Sequence, residues 1–139
     1  MASLRENLFV TENELSRIIV DSAFTIHTTL GPGLFESVYE ATMAFELSSR
    51  GVSRCIATRH SRDYKDVKLD LGFRADIVVN GKVIVEIKSI EGLGPVHSKQ
   101  LLTYLRLTEI RLGLLINFNA NLIKDGIRRV VNNLDENRT

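Results

Sequence analysis

Apolar residues recur at helical spacing over the first third of the chain, and polar residues fill the positions between them. Thr11 followed by Glu14 is a capping-box pattern, which predicts that a first helix begins at about Glu12. This helix should end at about Leu30, because Gly31-Pro32-Gly33 cannot continue it. Its inward row is predicted to be Leu15, Ile18, Ile19, Ala23, Ile26 and Leu30.

A second helix is predicted from about Leu34 to Arg50, with Gly51 as its stop. Its apolar stripe is predicted to be Leu34, Val38, Ala41 and Phe45. Glu36 and Tyr39 lie three residues apart, off the centre of that stripe but next to one another on the helix surface. Such a pair can face a functional site.

The alternation of residues from Phe73 to Lys88 predicts two strands joined at Asn80-Gly81, a dipeptide that tolerates positive φ. A loop of two residues would mix core and solvent residues on each face. A loop of odd length, such as Val79-Asn80-Gly81 with Gly81 in the left-handed position of a bulge, gives one clean apolar face. That face would contain Phe73, Ala75, Ile77, Val83, Val85 and Ile87. The opposite face would carry Arg74, Asp76, Val78, Ile84, Glu86 and Lys88.

The other elements are less regular. One or two strands are expected around Val52 to His60 and again near Val67, and a third helix from about Val96 to Leu107 with Leu101, Leu102 and Leu105 inward. Leu112–Asn117 is almost entirely apolar, which is typical of a buried central strand, and Lys124–Val131 is a last candidate strand. This order predicts an α/β layer in which one sheet face packs on helices. A site should form where the polar residues of the hairpin meet a helix end.

Composition narrows the class of protein. At 139 residues the chain has the length of one domain, assigned to residues 11–131 between tails at 1–10 and 132–139. The formal net charge of +1 does not point to any class of partner, so any affinity for nucleic acid must come from local clusters of charge. The single cysteine excludes an internal disulfide and a cysteine-based zinc site. No apolar run is long enough to span a bilayer, so we expect a cytoplasmic protein without a membrane partner.

The polar face of the hairpin carries the chemistry. Carboxylates held close together repel one another unless a divalent cation with oxygen ligands lies between them. Asp76, Glu86 and the backbone carbonyl of Ile87 could bind Mg²⁺ or Mn²⁺, and Lys88 could stabilise charge on a phosphorane-like transition state. This combination suits phosphodiester hydrolysis. Judged from the hairpin alone, an exposed Glu-x-Lys ion pair of no catalytic importance is the alternative.

A family resemblance changes that balance. Asp76, then Glu86-Ile87-Lys88 ten residues on, and then a helix with Gln100-Leu101-Leu102-Thr103-Tyr104 resemble the PD-(D/E)XK nuclease superfamily with its trailing QxxxY motif. The stretch from Gly33 to Tyr39 reproduces the GxxExxY signature of one branch, a family of small bacterial and archaeal proteins. The likeness extends through Gly113–Phe118 and Ile127–Arg129. One departure is Ala75, which stands where the superfamily motif has proline.

The resemblance implies a restriction-endonuclease-like αβββαβ core with a mixed central sheet flanked by helices. It also implies that Asp76 and Glu86 are metal ligands and that Lys88 is the catalytic lysine. It further implies that Glu36 is an upstream helical carboxylate at the metal site. Gln100 and Tyr104 become residues that orient the site, although without the resemblance their i, i+4 spacing describes an ordinary amphipathic edge.

Three further residues are candidates for substrate contact. His97 lies at the start of the third helix and has no partner at metal-ligand spacing, so it is a candidate for touching substrate rather than zinc. Arg128 and Arg129 can neutralise phosphates. Because adjacent strand residues point to opposite faces, at most one of these arginines should face the site.

Two classes of function follow. The first is a nuclease that depends on Mg²⁺ or Mn²⁺ and acts on nucleic acid, with DNA as the favoured polymer. Such a nuclease could act alone, as a homodimer or in a larger complex. The second is a non-catalytic module that keeps the fold to bind nucleic acid or a protein. A binding module has no physical need for three carboxylates beside a lysine, so the complete set of Glu36, Asp76, Glu86 and Lys88 favours the enzyme.

Overall fold

The computed structural model describes residues 10–52, 54–56, 59–64, 67–74 and 77–135, with side chains for 10–52 and 77–135. The helices are α1 Glu12–Leu30, α2 Glu36–Ser49 and α3 Pro95–Thr108. The strands are β1 Arg54–Ile56, β2 Arg59–Tyr64, β3 Val67–Arg74, β4 Ile77–Val79, β5 Val83–Lys88, β6 Leu112–Asn117 and β7 Ile127–Val131.

Among the described residues, five strands form one mixed sheet in the order β1-β4-β5-β6-β7. The β5–β6 pair is parallel, and the other neighbours are antiparallel. Strands β2 and β3 form a separate antiparallel hairpin. The succession α2-β1-β4-β5-α3-β6 follows the predicted αβββαβ order, so the mixed central sheet flanked by helices is confirmed.

The ends of α1 agree with the prediction. The Thr11 hydroxyl accepts a hydrogen bond from the Glu14 N–H at 3.2 Å, and the Glu14 carboxylate accepts one from the Thr11 N–H at 3.4 Å. Gly31, with φ of +70°, ends the helix. Helix α2 begins at Glu36, two residues later than predicted, because Gly33 has φ of +96° and Phe35 is extended.

The hairpin has a loop of odd length, as the alternation predicts. Val79 pairs with Val83 and Ile77 with Val85, so the loop contains the three residues 80–82 and lies one residue further along than Val79-Asn80-Gly81. Asn80 and Gly81 both have positive φ, and the Lys82 N–H donates to the Val79 carbonyl at 2.9 Å. The predicted left-handed Gly81 is therefore confirmed. The side chains of residues 73–76, including Asp76, lie outside the described residues.

Helices cover both faces of the sheet, so the expectation of one covered face is wrong. On the first face α1 and α2 pack against the sheet residues Ile77, Val79, Val83, Val85, Ile87, Leu112, Leu114 and Ile116. On the second face α3 packs through Leu101, Tyr104 and Leu105 against Ile84 and Leu115. Glu86 shares the second face with Ile84, because side chains two apart on a strand point the same way. Of the described residues on the predicted polar face of the hairpin, Ile84 and Glu86 are buried, and Val78 and Lys88 are half-buried.

The apolar stripe predicted for α2 is also wrong. Leu34, Val38, Ala41 and Phe45 are exposed, and the buried residues of this helix are Tyr39, Met43, Ala44 and Leu47. Both rows have helical spacing, so periodicity alone does not choose between them. The row that starts at Tyr39 is buried because that aromatic ring stacks on Phe118 with centroids 4.5 Å apart.

The last predicted strand is shorter than expected. Its first part is a short 3-10 helix, Ile123–Gly126, and β7 begins at Ile127. A Cβ on Gly126 would lie 2.3 Å from the Asn117 carbonyl oxygen, so the chain passes too close to β6 there for a larger residue. Within the part of the chain that the structure describes, no helix is long and apolar enough to cross a membrane.

Candidate active site

The candidate site lies at the carboxyl end of β5, the strand between β4 and β6. Helix α3 joins the parallel strands β5 and β6, so it runs antiparallel to them and begins at their carboxyl ends. Glu86 is 6% exposed and lies beside Leu115 of β6, and Lys88 is half-buried beside Asn117. Both side chains face α3, and their Cα atoms are about 7 Å apart at the usual rise of a strand. Glu86 and Lys88 therefore share one face of the sheet, and the position of Asp76 beside them stays a prediction.

The structure brings Glu36 to the same end of β5. Its Oε2 accepts a hydrogen bond from the backbone N–H of Ser89, the residue after Lys88, at 3.2 Å. The Ser89 hydroxyl donates to the Leu34 carbonyl at 2.6 Å, so two bonds tie the start of α2 to this point. A carboxylate in the first turn of a helix is also favoured by the helix dipole.

Tyr39 is fully buried and supports the loop that precedes Glu36. Its hydroxyl donates to the Gly31 carbonyl at 2.6 Å and accepts from the Leu34 N–H at 3.2 Å. With its ring stacked on Phe118, the side chain links the loop to the apolar core on the first face of the sheet. Tyr39 therefore positions the Glu36 loop from beneath.

Asn117 is a residue of this region that the sequence analysis missed. It is 3% exposed, and its Oδ1 accepts from the backbone N–H groups of Ile90 at 3.1 Å and Asn119 at 3.2 Å. Its Nδ2 donates to the Ile90 carbonyl at 3.0 Å. The amide thus holds the chain as it leaves β5. A single amide at the end of an otherwise apolar strand was the signal for this role.

The start of α3 is held by His97 and Arg128. The Gly94 N–H donates to His97 Nδ1 at 2.9 Å, so a neutral ring with this bond carries its proton on Nε2. The Arg128 guanidinium donates to the Leu93 carbonyl at 2.7 Å. Because Arg128 pairs with Leu115 and Leu115 with Glu86, the arginine lies in the same row of the sheet as Glu86, with Cα atoms about 10 Å apart.

Arg128 and Arg129 point to opposite faces of the sheet, as the alternation of strand side chains predicts. Arg129 donates to the side chain of Asn13 on α1, on the first face. Arg128 lies on the face of α3, with Glu86 and Lys88. The two arginines therefore have the same charge and adjacent positions but different surroundings.

The QxxxY pair is divided between surface and core. Tyr104 is 1% exposed and packs with Ile84 and Leu115, the residues that flank Glu86 on this face. Gln100 is exposed, one turn nearer the start of α3. The orienting role of the pair stays a prediction.

The predicted metal ligands are placed only in part. Asp76 lies outside the described residues, and among the side chains that are described no group of three His, Cys, Asp or Glu residues could hold a metal ion. The Lys88 carbonyl accepts from the Phe118 N–H at 2.9 Å, so the carbonyl of Ile87 points to the opposite edge of β5, towards β4. The available donors are carboxylate and carbonyl oxygens, which fit Mg²⁺ or Mn²⁺ and do not fit a soft metal.

Comparison with known proteins extends these findings. The family model described as the PD-(D/E)XK nuclease superfamily matches residues 13–130 of the 139. No curated protein matched the chain. Among the solved structures that match, "Crystal structure of SSO0001" has a TM-score of 0.53 and 22% sequence identity and covers 73% of this chain and 52% of that one.

The chain therefore spans about half the length of the protein in that structure. At this level of identity the likeness concerns the fold alone. Together with the family match, it confirms the restriction-endonuclease-like α/β fold.

The clamp by Asn117 gives a first testable prediction. Asn117→Ala removes three hydrogen bonds to backbone groups around the β5 exit and should lower the free energy of unfolding by about 2–3 kcal/mol. Asn119→Ala is the control, because Asn119 donates one side-chain bond to the same Ile90 carbonyl from a half-buried position. Its cost should stay below about 1 kcal/mol. Urea denaturation measures both, and equal losses would contradict the role of Asn117.

Proposed function

Because the chain belongs to the PD-(D/E)XK nuclease superfamily, we propose that it is a metal-dependent nuclease that hydrolyses phosphodiester bonds in nucleic acid, with DNA as the favoured polymer. The observation that carries the proposal is the hydrogen bond between the Glu36 carboxylate and the Ser89 N–H. It brings a carboxylate from a distant helix to the end of the strand that bears Glu86 and Lys88.

In this proposal Glu36, Asp76, Glu86 and the carbonyl of Ile87 hold one Mg²⁺ or Mn²⁺ ion. When bound, such an ion lowers the pKa of a water molecule and neutralises charge on the phosphate. Lys88 is half-buried, and in this role its side chain orients the attacking water and stabilises negative charge on the transition state.

The remaining residues have supporting roles. Tyr104 packs beside the row that contains Glu86, and Gln100 lies at the surface near the start of α3. The Nε2–H of His97 is a donor for a phosphate oxygen, because its Nδ1 is engaged by Gly94. Arg128 supplies positive charge on the same face as Glu86.

We also infer that the chain is a member of the GxxExxY branch. The three-residue spacing of Glu36 and Tyr39 has a physical reason in this fold. Glu36 reaches the end of β5, and Tyr39, almost one turn later, is buried and holds the loop in front of Glu36. The signature therefore describes one device that positions a carboxylate.

Lys88→Ala tests the catalytic proposal. Labelled DNA and RNA are incubated with the parent and the variant in Mg²⁺ or Mn²⁺, and cleavage is followed on gels. Loss of one charge that acts in the transition state should slow cleavage by at least about 100-fold, with the affinity for metal little changed.

Lys82→Ala is the matched control for that assay. Lys82 directly precedes β5 at its other end, where its ammonium donates to the Val10 carbonyl at 2.7 Å. This variant should cleave like the parent. Equal cleavage by the Lys88 variant would remove Lys88 from the mechanism, and absence of cleavage by the parent would favour the non-catalytic binding module.

Metal binding is tested without a substrate. A ligand that binds only the folded state stabilises it by about 2.7 kcal/mol at one hundred times its dissociation constant. Saturating Mn²⁺ should therefore raise the melting temperature of the parent by about 5–10 °C over its value in chelator. Asp76→Asn and Glu86→Gln should lose most of this shift, and Glu12→Gln, on the first turn of α1, should keep it. A parent that ignores Mn²⁺ would contradict the proposed ligand set.

The two adjacent arginines provide a test of substrate contact. If Arg128 contacts phosphate, Arg128→Ala should weaken binding of all sequences alike and reduce the slope of log affinity against log salt by about one. Arg129→Ala should leave the slope unchanged, because its guanidinium lies on the opposite face of the sheet at Asn13. Fluorescence anisotropy over a range of salt concentrations measures both slopes, and identical slopes would remove Arg128 from the interface.

A further inference from the structure

Phe35 is exposed to an extent that packing does not explain. Its side chain is 82% exposed, the highest fraction among the large hydrophobic side chains that the structure describes. The residue lies at the position before α2, with extended φ of −70° and ψ of 151°. Leu34 and Val38 beside it are also exposed, at 39% and 40%. The candidate active site is thus bordered by a projecting aromatic ring.

The backbone of Phe35 is fixed next to the end of β5. The residue before it, Leu34, accepts a hydrogen bond from the Ser89 hydroxyl, and the residue after it, Glu36, accepts one from the Ser89 N–H. Ser89 directly follows Lys88. Phe35 is therefore within one residue of two bonds to the segment that carries the candidate catalytic lysine.

The mount of Phe35 is rigid. The Tyr39 hydroxyl binds both the Leu34 N–H and the Gly31 carbonyl, and Gly33 with φ of +96° makes the turn between them. An exposed aromatic side chain on a fixed backbone has few torsions to lose on binding. Such a ring can therefore bind a flat apolar partner at low entropic cost.

We propose that Phe35 stacks on an unpaired nucleobase of the substrate strand, next to the phosphodiester bond that is cut. This inference rests on the proposed nuclease function and specifies its substrate as a single-stranded segment or a strand end. In an intact duplex both faces of an interior base are occupied by its neighbours, so only an unpaired or terminal base offers a free face. Base–aromatic stacking tolerates any sequence and is common in proteins that bind single strands.

The surroundings of Phe35 favour this occupant over a second protein. A protein that covered Phe35 would also cover Glu36 and the end of β5, which the substrate must reach. A nucleobase is attached to the phosphodiester backbone, so its binding at Phe35 brings a phosphate to the carboxylates and Lys88. One strand can therefore occupy the aromatic ring and the polar site together.

The test measures binding by the full chain in Ca²⁺ buffer. The ligands are a labelled single-stranded DNA, the RNA of the same sequence and the blunt DNA duplex. Gels check that the strands stay intact. Phe35→Ala should weaken single-strand binding about tenfold, whereas duplex binding should change less than about twofold. Phe35→Leu should behave like Phe35→Ala, because leucine keeps apolar surface but has no aromatic face. Phe45→Ala is the matched control, since Phe45 is 69% exposed on the same helix about three turns away, and it should bind like the parent.

Phe35→Trp supplies a direct signal of stacking. The chain contains no tryptophan, so this variant carries a single reporter. It should keep parental affinity, and its fluorescence should be quenched by the single strand and not by the duplex. The melting temperatures of the Phe35 variants should stay within about 2 °C of the parent, because the side chain is exposed.

Several outcomes would overturn the stacking proposal: equal affinity of parent and Phe35→Ala for single strands, no binding of single strands by the parent, or full affinity of Phe35→Leu. A change from dimer to monomer in Phe35→Ala, without loss of affinity per protomer, would assign the ring to a second copy of the chain instead. Cleavage in Mg²⁺ or Mn²⁺ is measured separately. If the parent cleaves and Phe35→Ala binds normally, the nuclease function stands and stacking is rejected. If the parent never cleaves but Phe35→Ala loses single-strand binding, stacking stands and the nuclease function is rejected.

Discussion

The hydrogen bonds around Ser89 and Ile90, where the chain leaves β5, are the constraint on which the candidate site depends. Glu36 and Leu34 bind Ser89 from the start of α2, and Asn117 binds Ile90 from the end of β6. Segments more than fifty residues apart in sequence, 34–36 and 89–90, are thereby fixed at one point. The Glu36 carboxylate lies at the end of the strand that bears Glu86 and Lys88 only while these hydrogen bonds hold the chain where it leaves β5. The geometry of the site therefore depends on local order at that point.

Burial of Glu86 between the sheet and α3 is the second constraint. Moving a carboxylate out of water costs several kcal/mol even after relaxation, so hydrogen bonds or a cation must offset that free energy. Neighbours on this face, Ile84, Leu115 and Tyr104, are almost fully buried, and they limit how much water can help. A buried carboxylate is unusual at a position that only serves the fold and is common at sites that bind metal or substrate.

The sequence predicted those features that local rules decide. Helix α1 and strand β6 have the predicted bounds, because a capping box, a Gly-Pro-Gly stop and an all-apolar run leave little choice. The odd hairpin loop followed from keeping one face apolar. Features that depend on tertiary packing were missed. The two apolar rows of α2 have equal periodicity, and only the stacking of Tyr39 on Phe118 decides between them. Asn117 gains its role from contacts with the loop after β5, and its polarity at the end of an apolar strand is the sign of that role in the sequence.

A shared fold leaves the choice of substrate open, because functions differ between proteins that share a scaffold. The fold accounts for the sheet, for α3 above it and for the line of Glu86 and Lys88 along β5. Two short segments border Glu86 and Lys88: residues 31–35 before α2 and residues 91–94 before α3. The first is held by Tyr39 and Ser89 and the second by Arg128, so each has a defined conformation at the edge of the site. In the proposed function, a nucleic-acid strand bound at this edge would stack a free base on the ring of Phe35 and place a phosphate near the guanidinium of Arg128.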